Sequence, residues 1–156
     1  VVTGVQTCAL PIYHMGDYFA HWLKIGEQID ANLPRIFFVN WFRKDQGGKF
    51  IWPGFGDNSR VLKWICERLD DVAAARETPI GHVPTKDALD LSGLSLSDED
   101  LGTLLNVDLD VWAEEAALIP PHYEKFGARL PRRLWEEHVA LVERLDAARA
   151  SRAAAE

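Results

Sequence analysis

An α/β fold in which helices dominate and strands are few and short is what the sequence predicts, and three observations predict it. Apolar residues recur at steps of three and four along residues 14–30, 58–69 and 134–145, drawing one stripe down each of three helices. One run, RIFFVNW over residues 35–41, is apolar, aromatic and β-branched, as in a buried strand. Proline and glycine fall in short punctuations rather than in linkers, and no internal repeat is present, so residues 13–146 read as one packed unit with a frayed tail over residues 147–156.

In the first helix Met15, Tyr18, Phe19, Trp22, Ile25 and Ile29 form the stripe, and Leu33 with Pro34 is expected to end it. The strand at 35–41 then delivers the chain to a turn, KDQGGK, whose Gly-Gly and Asp signals place Phe42 and Phe50 opposite each other in a hairpin-like reversal. Pro53 forces an extended path. Asp57, Asn58 and Ser59 are helix-start residues, followed by Val61, Leu62, Ile65 and Leu69 on one face, so free backbone N–H groups of a helix N-terminus are expected beneath the loop. TPIGHVP at 78–84 reads as an extended edge segment, with short strands also expected near Phe50 and Val83. Ser97 followed by Asp98, Glu99 and Asp100 is a capping-box start to a short helix through Leu105, and another helix begins near Asp110. Pro120 and Pro121 interrupt that helix. Pro131 is placed to open the last one, whose stripe is Leu134, His138, Leu141, Val142 and Leu145.

The 156 residues are enough for one domain with a core, and 47% hydrophobic with 26% charged is a globular composition. A net charge of -7 argues against nucleic-acid or anionic-membrane binding, because both need a basic face that displaces counterions. Cys8 and Cys66 allow one bridge at most and form no secreted disulfide framework, and no run is long enough to span a membrane, so a cytoplasmic setting is expected. Residues 1–12 are set apart as a non-native segment. VTGVQTCALPI is similar to the conceptual translation of a sequencing adapter, and its Gly4, Thr7 and Pro11 leave no periodic face to bury. The native chain is then expected to continue upstream.

Six of the sixteen aromatic residues lie between Trp41 and Trp64, interleaved with four glycines and five basic residues. The local charge over that stretch is +3, from Arg43, Lys44, Lys49, Arg60 and Lys63 against Asp45 and Asp57. Each large ring removed from water is worth roughly 1.5 to 3 kcal/mol, so the rings must pack or grip something. One outcome is a slot in which two rings stack on a planar base and Asn58 reads its edge with a donor and an acceptor on one short amide. An amide free to flip would suit adenine as readily. The other outcome is a satellite core under a long loop, which is commoner for aromatic clusters.

Other constellations carry less. His14, Asp17 and His21 fall on one helical face without a fourth ligand, and read as surface or satisfied core groups rather than a metal site. Cys66, between Ile65 and Leu69, reads as a small buried hydrophobe. No Ser, His and Asp arrangement suggests a nucleophile, and residues 97–100 lack EF-hand spacing, so no catalytic residue and no metal ligand is assigned.

The stretch VNWFRKDQGGKFIWPGFGDNSRVLKW resembles, almost residue for residue, the nucleotide-binding segment of GTP-dependent phosphoenolpyruvate carboxykinases. YHMGDYFAHWL is similar to that family's GYN-x-G-x-Y-x-x-HW segment and TPIGHVP to its TPIGYVP, while LIPPHYEKFGARLP resembles the family's final helices more loosely. The likeness covers about residues 13–145 and implies a C-terminal fragment of the nucleotide-binding lobe. It implies that Phe42, Phe50 and Phe55 enclose a guanine, that Asn58 reads its edge, and that Phe55, Gly56, Asp57 and Asn58 form the F-G-E-N element, with Asp57 in place of Glu. His14 stands where Asn is usual, His82 where Tyr is frequent, and Pro120 with Pro121 where two acidic residues are frequent.

The resemblance implies a parent enzyme, a monomer, that converts oxaloacetate and GTP to phosphoenolpyruvate, GDP and carbon dioxide in gluconeogenesis with Mn2+ or Mg2+. Such chemistry needs a phosphate loop, a lysine and metal ligands. No G-x-x-x-x-G-K-[ST] motif occurs in these residues, so the phosphate and metal groups are expected upstream of Tyr13 and the fragment is expected to be inactive alone. A free-standing module that takes a nucleotide or peptide on the aromatic loop is the alternative. So is a fragment that folds poorly because apolar surface lies exposed.

Overall fold

The computed structural model describes residues 14–28 and 33–154. Expectations for residues 1–13, and for Ile29 and Asp30, lie outside them. In chain order the elements are α1 (Met15–Gly26), a 3-10 turn (Phe55–Asp57), α2 (Asn58–Leu69), β1 (Ala75–Thr78), β2 (Gly81–Pro84), a 3-10 turn (Lys86–Ala88), α3 (Asp98–Leu105), α4 (Leu109–Ala117), α5 (Ile119–Glu124), a 3-10 turn (Gly127–Arg129) and α6 (Arg132–Ala153). Among the described residues β1 and β2 form a two-stranded antiparallel sheet, so the architecture is mostly helical with few strands. Two compact units are present, one from the segments up to Leu33 and from Leu109 onward, the other Pro34–Asp108.

In the first unit His14 caps α1: its Nδ1 accepts from the Gly16 N–H at 3.1 Å, the task that an Asn would perform at an N-cap. Gly16 is required by space, since a Cβ there would collide with the Arg129 carbonyl. The helix ends at Gly26 rather than at Leu33 and Pro34. Glycine is the poorest helix former after proline, and the Glu27 N–H closes the end on the Lys24 carbonyl at 3.3 Å. Only the first turns of the apolar stripe are covered: Phe19 stands edge-on to Phe126 at 5.4 Å between centroids, whereas Trp22 is 56% exposed.

α4 and α6 pack together, and Ala116 of the one and Leu145 of the other are buried. The chain breaks at Leu118, and Pro120 and Pro121 then occupy the opening positions of α5, where their missing N–H groups are not needed. Pro131 is the N-cap of α6 rather than its first residue, so the helix starts one position later than expected. His138 reaches the Ala116 carbonyl through Nε2 at 3.0 Å, which fixes α6 against the end of α4. Helix α6 continues through Ala153, past residue 146. Its last turns are rich in Ala and Arg, good helix formers, and Arg149 and Arg152 reach the Asp110 carboxylate at 2.9 and 3.5 Å.

The second unit is built on α2. Trp64 is 5% exposed and donates through Nε1 to the Ala74 carbonyl at 3.2 Å. The buried face therefore centres on Trp64 with Val61 and Ile65 at its sides, and Leu62 and Leu69 turn to solvent, which departs from the expected stripe. Cys66 is exposed, not buried; two residues beyond Trp64 on a helix is roughly 200° around the axis. Residues 35–41 form no strand. Phe37 packs edge-on to Trp64 at 6.1 Å, while Ile36 and Phe38 are 94% and 91% exposed. The side chains alternate as in a strand, and what is missing among the described residues is a neighbour to supply the ladder hydrogen bonds.

TPIGHVP is a hairpin rather than a lone edge segment: Thr78 pairs with Gly81 across Pro79 and Ile80, and Arg76 pairs with Val83. Near Phe50 there is one isolated bridge, to Lys44, and no strand. The capping box of α3 is present, with Ser97 Oγ accepting from the Asp100 N–H at 3.0 Å and the Asp100 carboxylate accepting from the Ser97 N–H at 3.4 Å. Leu101 is buried beneath it.

Leu145 is the most buried large side chain, at 1% exposure. Leu145→Ala is expected to remove about 2 to 5 kcal/mol of stability, seen as a lower urea midpoint with α-helical ellipticity as the signal. An unchanged midpoint would mean that the α4 and α6 contact contributes nothing to unfolding.

Candidate functional site

The loop before α2 is shaped by its own polar groups. Asn40 Oδ1 accepts from the Phe42 N–H at 2.9 Å and sets the turn that presents Phe42. Asp45 closes the reversal: its N–H donates to the Lys49 carbonyl and its Oδ1 accepts from the Lys49 N–H, both at 2.9 Å. Gly48 takes a left-handed conformation (φ +80°) at the corner, where a Cβ would be strained. The reversal brings Phe42 and Phe50 to 5.9 Å between centroids, with Lys44 Nζ 5.0 Å from the Phe50 centroid.

Beside these rings lies a cleft of about 710 Å³, within the ordinary range for small-molecule sites. Phe42, Phe50, Phe55 and Asn58 all line it, with Trp52 and Ser95. Gly56 and Asp57 are not in its lining. The Gly56 carbonyl accepts from Ser59 Oγ at 3.1 Å, and Asp57 Oδ1 accepts from Arg60 Nε at 3.0 Å. Within the cleft the aromatic residues divide sharply: Phe55 is 94% exposed, Phe42 70% and Phe50 50%, whereas Trp52 is 7%. The phenylalanines are the open walls and Trp52 is the packed back.

Asn58 opens α2, and its Oδ1 accepts from Trp52 Nε1 at 2.9 Å. The helix N-terminus below the loop is less open than expected, because the 3-10 turn already uses two of its N–H groups. Asp57 donates to the Gly54 carbonyl and Asn58 to the Phe55 carbonyl. Asp57 makes no side-chain cap, having a basic partner instead.

Most of the local positive charge is structural. Arg43 donates to the Leu104 and Asn106 carbonyls at 3.3 and 3.0 Å, and Arg76 to the Leu105 carbonyl at 3.1 Å, so two guanidiniums cover the end of α3. Arg60 bridges Asp57 to the Asp90 and Ser92 carbonyls, at 2.7 and 2.9 Å, and so ties the start of α2 to the segment leading to Ser95. Lys49 is the basic residue that lines the cleft. Trp52, Arg60 and Ser95 were not singled out from sequence as site residues. Trp52 could have been found as the one indole between Phe50 and Phe55, whereas Ser95 lies far along the chain and carries no local signal.

His14 and Asp17 are committed locally, to the α1 cap and to Arg129 at 3.4 Å, and no group of three metal-binding side chains gathers among the described residues. Among the described residues no helix is long and apolar enough to cross a membrane.

The sequence profile of the phosphoenolpyruvate carboxykinase C-terminal P-loop domain matches residues 7–144. The chain belongs to that family. It is 54% identical over 134 residues to a GTP-type phosphoenolpyruvate carboxykinase of Renibacterium salmoninarum, 51% over 138 residues to that of Neocallimastix frontalis, and 52% over 136 residues to that of Treponema pallidum. These matches cover 85%, 87% and 86% of this chain and 22% of each relative, so the chain spans about a fifth of the length of the carboxykinases it matches.

In this carboxykinase domain Asp90 accepts from the Ser92 hydroxyl at 2.6 Å and from its N–H at 3.1 Å, with Lys63 and Arg60 nearby, and these hold its carboxyl below the usual aspartate range. A folded-state value below the unfolded one adds stability that is complete at neutral pH and is lost as pH falls through the lowered value. Asp90→Asn is therefore expected to lower the neutral end of a stability profile taken between about pH 6 and pH 3 and to meet the wild type at its acid end, so that the profile flattens. Arg60→Ala, which frees two carbonyls and Asp57, is expected to cost about 1 to 3 kcal/mol at neutral pH by the same urea assay. Wild-type midpoints in both variants would show that this junction is not stabilising.

Proposed function

We propose that this domain supplies the base-binding part of the nucleotide site of a GTP-dependent phosphoenolpyruvate carboxykinase, and that the 156-residue chain does not turn over alone. The observation that carries this is the division of the rings. A satellite core would bury its phenylalanines, but Phe42, Phe50 and Phe55 stand open on one cleft while Trp52 and Trp64 take up the packing. Open rings that face one slot are suited to stack on the faces of a flat base, at about 1 to 3 kcal/mol per base. Asn58 at the slot gives a hydrogen-bonding edge reader, with Gly56 and Asp57 shaping the F-G-D-N turn that positions it.

In the parent, oxaloacetate loses carbon dioxide to give an enolate, whose oxygen attacks the γ-phosphorus of GTP and releases GDP, forming phosphoenolpyruvate. The described residues do not fit a metal site, so the Mn2+ or Mg2+ of the reaction belongs to other parts of the parent. What this domain contributes is orientation: holding the base fixes where the triphosphate points, which is worth rate without touching the reacting atoms. A gluconeogenic role in the cytoplasm and a monomeric parent complete the proposal, supported by the carboxykinase likeness alone.

Titration of the intrinsic tryptophan fluorescence with GDP is expected to saturate, and Phe55→Ala to weaken the binding by about 5- to 100-fold, the loss of one stacking face. A millimolar constant is compatible with a site lacking its phosphate contacts. A folded sample that binds GDP equally well without the Phe55 ring would sink the stacking slot. Release of phosphoenolpyruvate from GTP, oxaloacetate and manganese by the chain alone would overturn the division of labour.

A further inference from the structure

An amide that reads a base edge is selective only if it cannot turn over. Asn58 carries a donor and an acceptor of nearly equal size, and a half-turn of χ2 exchanges them at little steric cost. Free to turn, it would offer its NH2 to the 6-oxo group of guanine or its carbonyl to the 6-amino group of adenine. The chain supplies a constraint on that choice. The Trp52 indole N–H is a donor and never an acceptor, so at 2.9 Å its partner on Asn58 must be the carbonyl oxygen. Trp52 is itself held in place, 7% exposed at the back of the cleft, and Asn58 is half-buried on the first turn of α2. Turning the amide over would set an NH2 against the indole N–H and leave two donors facing each other in a part-buried setting, an unfavourable contact with its hydrogen bond unmade.

We infer that Trp52 is a positioning residue that fixes the polarity of the base slot, making the slot present a donor at the position-6 edge of the purine and so favour 6-oxo over 6-amino purines. The inference rests on the cleft being the base site proposed above. Among the described residues no group accepts from Asn58 Nδ2, so both its hydrogens remain for a ligand. The six-residue separation of Trp52 and Asn58 is spanned by Pro53, Gly54 and the 3-10 turn Phe55–Asp57, which returns the chain on itself so that wall, lock and reader come from one short stretch. The 2-amino group of guanine has no part in this, so hypoxanthine should be accepted as guanine is.

The test compares GDP, IDP and ADP binding to the full 156-residue chain and to its Trp52→Phe variant by nitrogen-15 NMR titration. In the wild type GDP and IDP are expected to bind at least about tenfold more tightly than ADP, from one well-made hydrogen bond against one clash. In Trp52→Phe, which keeps a ring at the back of the cleft, that ratio is expected to fall toward one, with ADP gaining relative to the others. A role in packing alone would weaken all three nucleotides together and leave the ratio intact, and that result overturns the inference while leaving the base slot standing. Equal binding of all three by the folded wild type overturns the inference and leaves the slot standing, whereas absent binding overturns both. If Trp52→Phe fails to fold, Asn58→Asp and Asn58→Ala serve in its place. The Trp52 indole proton should keep its bonded chemical shift in the first and lose it in the second, and an indole signal indifferent to both variants overturns the inference.

Discussion

Burial of two indoles, Trp52 and Trp64, is the interaction on which the second unit depends. Each is anchored by geometry as well as by desolvation, because each places its one N–H on a specific acceptor, Asn58 Oδ1 and the Ala74 carbonyl. Trp64 draws Phe37 onto α2 and fixes the path of the segment after Pro34, while Trp52 draws the loop onto the first turn of the same helix. With these two rings supplying the packing, the phenylalanines around them are released from it. The stretch from Trp41 to Phe55 can then remain folded while three of its five aromatic residues, Phe42, Phe50 and Phe55, are half exposed or more, and open rings of that kind suit the flat ligand proposed above.

Charge is divided in the same way. The stretch reads as basic, yet its Arg43 is held, beside Arg76 from the later hairpin, by the carbonyls closing α3, and its Arg60 by those of residues 90 and 92. Guanidinium suits this task because its planar fork can hold two carbonyls at once without losing its charge. The cost of leaving those helix-end and turn carbonyls unbonded is avoided, and the electrostatic character of the cleft falls to Lys49. The base site proposed here, selecting through stacking and one polar edge, needs no more, since it is the phosphates that demand cations.

What could be read from the sequence was local in origin. The Ser97 capping box, the KDQGGK reversal, the start of α2 at Asn58 and the break before Pro120 are each decided by side chains acting within a few residues, and the structure has all of them. Residues 35–41 were not legible, because composition makes a run strand-like but a strand exists only beside a partner, and Ile36 and Phe38 have none among the described residues. Cys66 and the stripe of α2 were misjudged by about a quarter-turn, since Trp64 outweighed the smaller aliphatic residues in deciding which face turned inward. In the cleft Phe42, Phe50, Phe55 and Asn58 come together from one stretch, but Ser95 arrives from another, and nothing within the sequence around it marks that meeting.

Contiguity also bears on how this family divides its labour. Ten of the eleven residues that line the cleft lie within residues 41–58, and its supports, α2 and the segment tied by Arg60, lie within Pro34–Asp108. The proposed base slot thus rests mainly on short-range contacts, with Ser95 arriving from further along the chain. Phosphoryl transfer, by contrast, requires a cation, a phosphate cradle and a nucleophile to be aligned within fractions of an ångström. On the proposed reading, keeping the base slot on one short stretch lets it be held by packing and the Trp52–Asn58 hydrogen bond, without the strain that reacting groups impose on their surroundings. On the proposed reading, discrimination between purines is a property of the resting protein, present before any triphosphate is aligned for reaction.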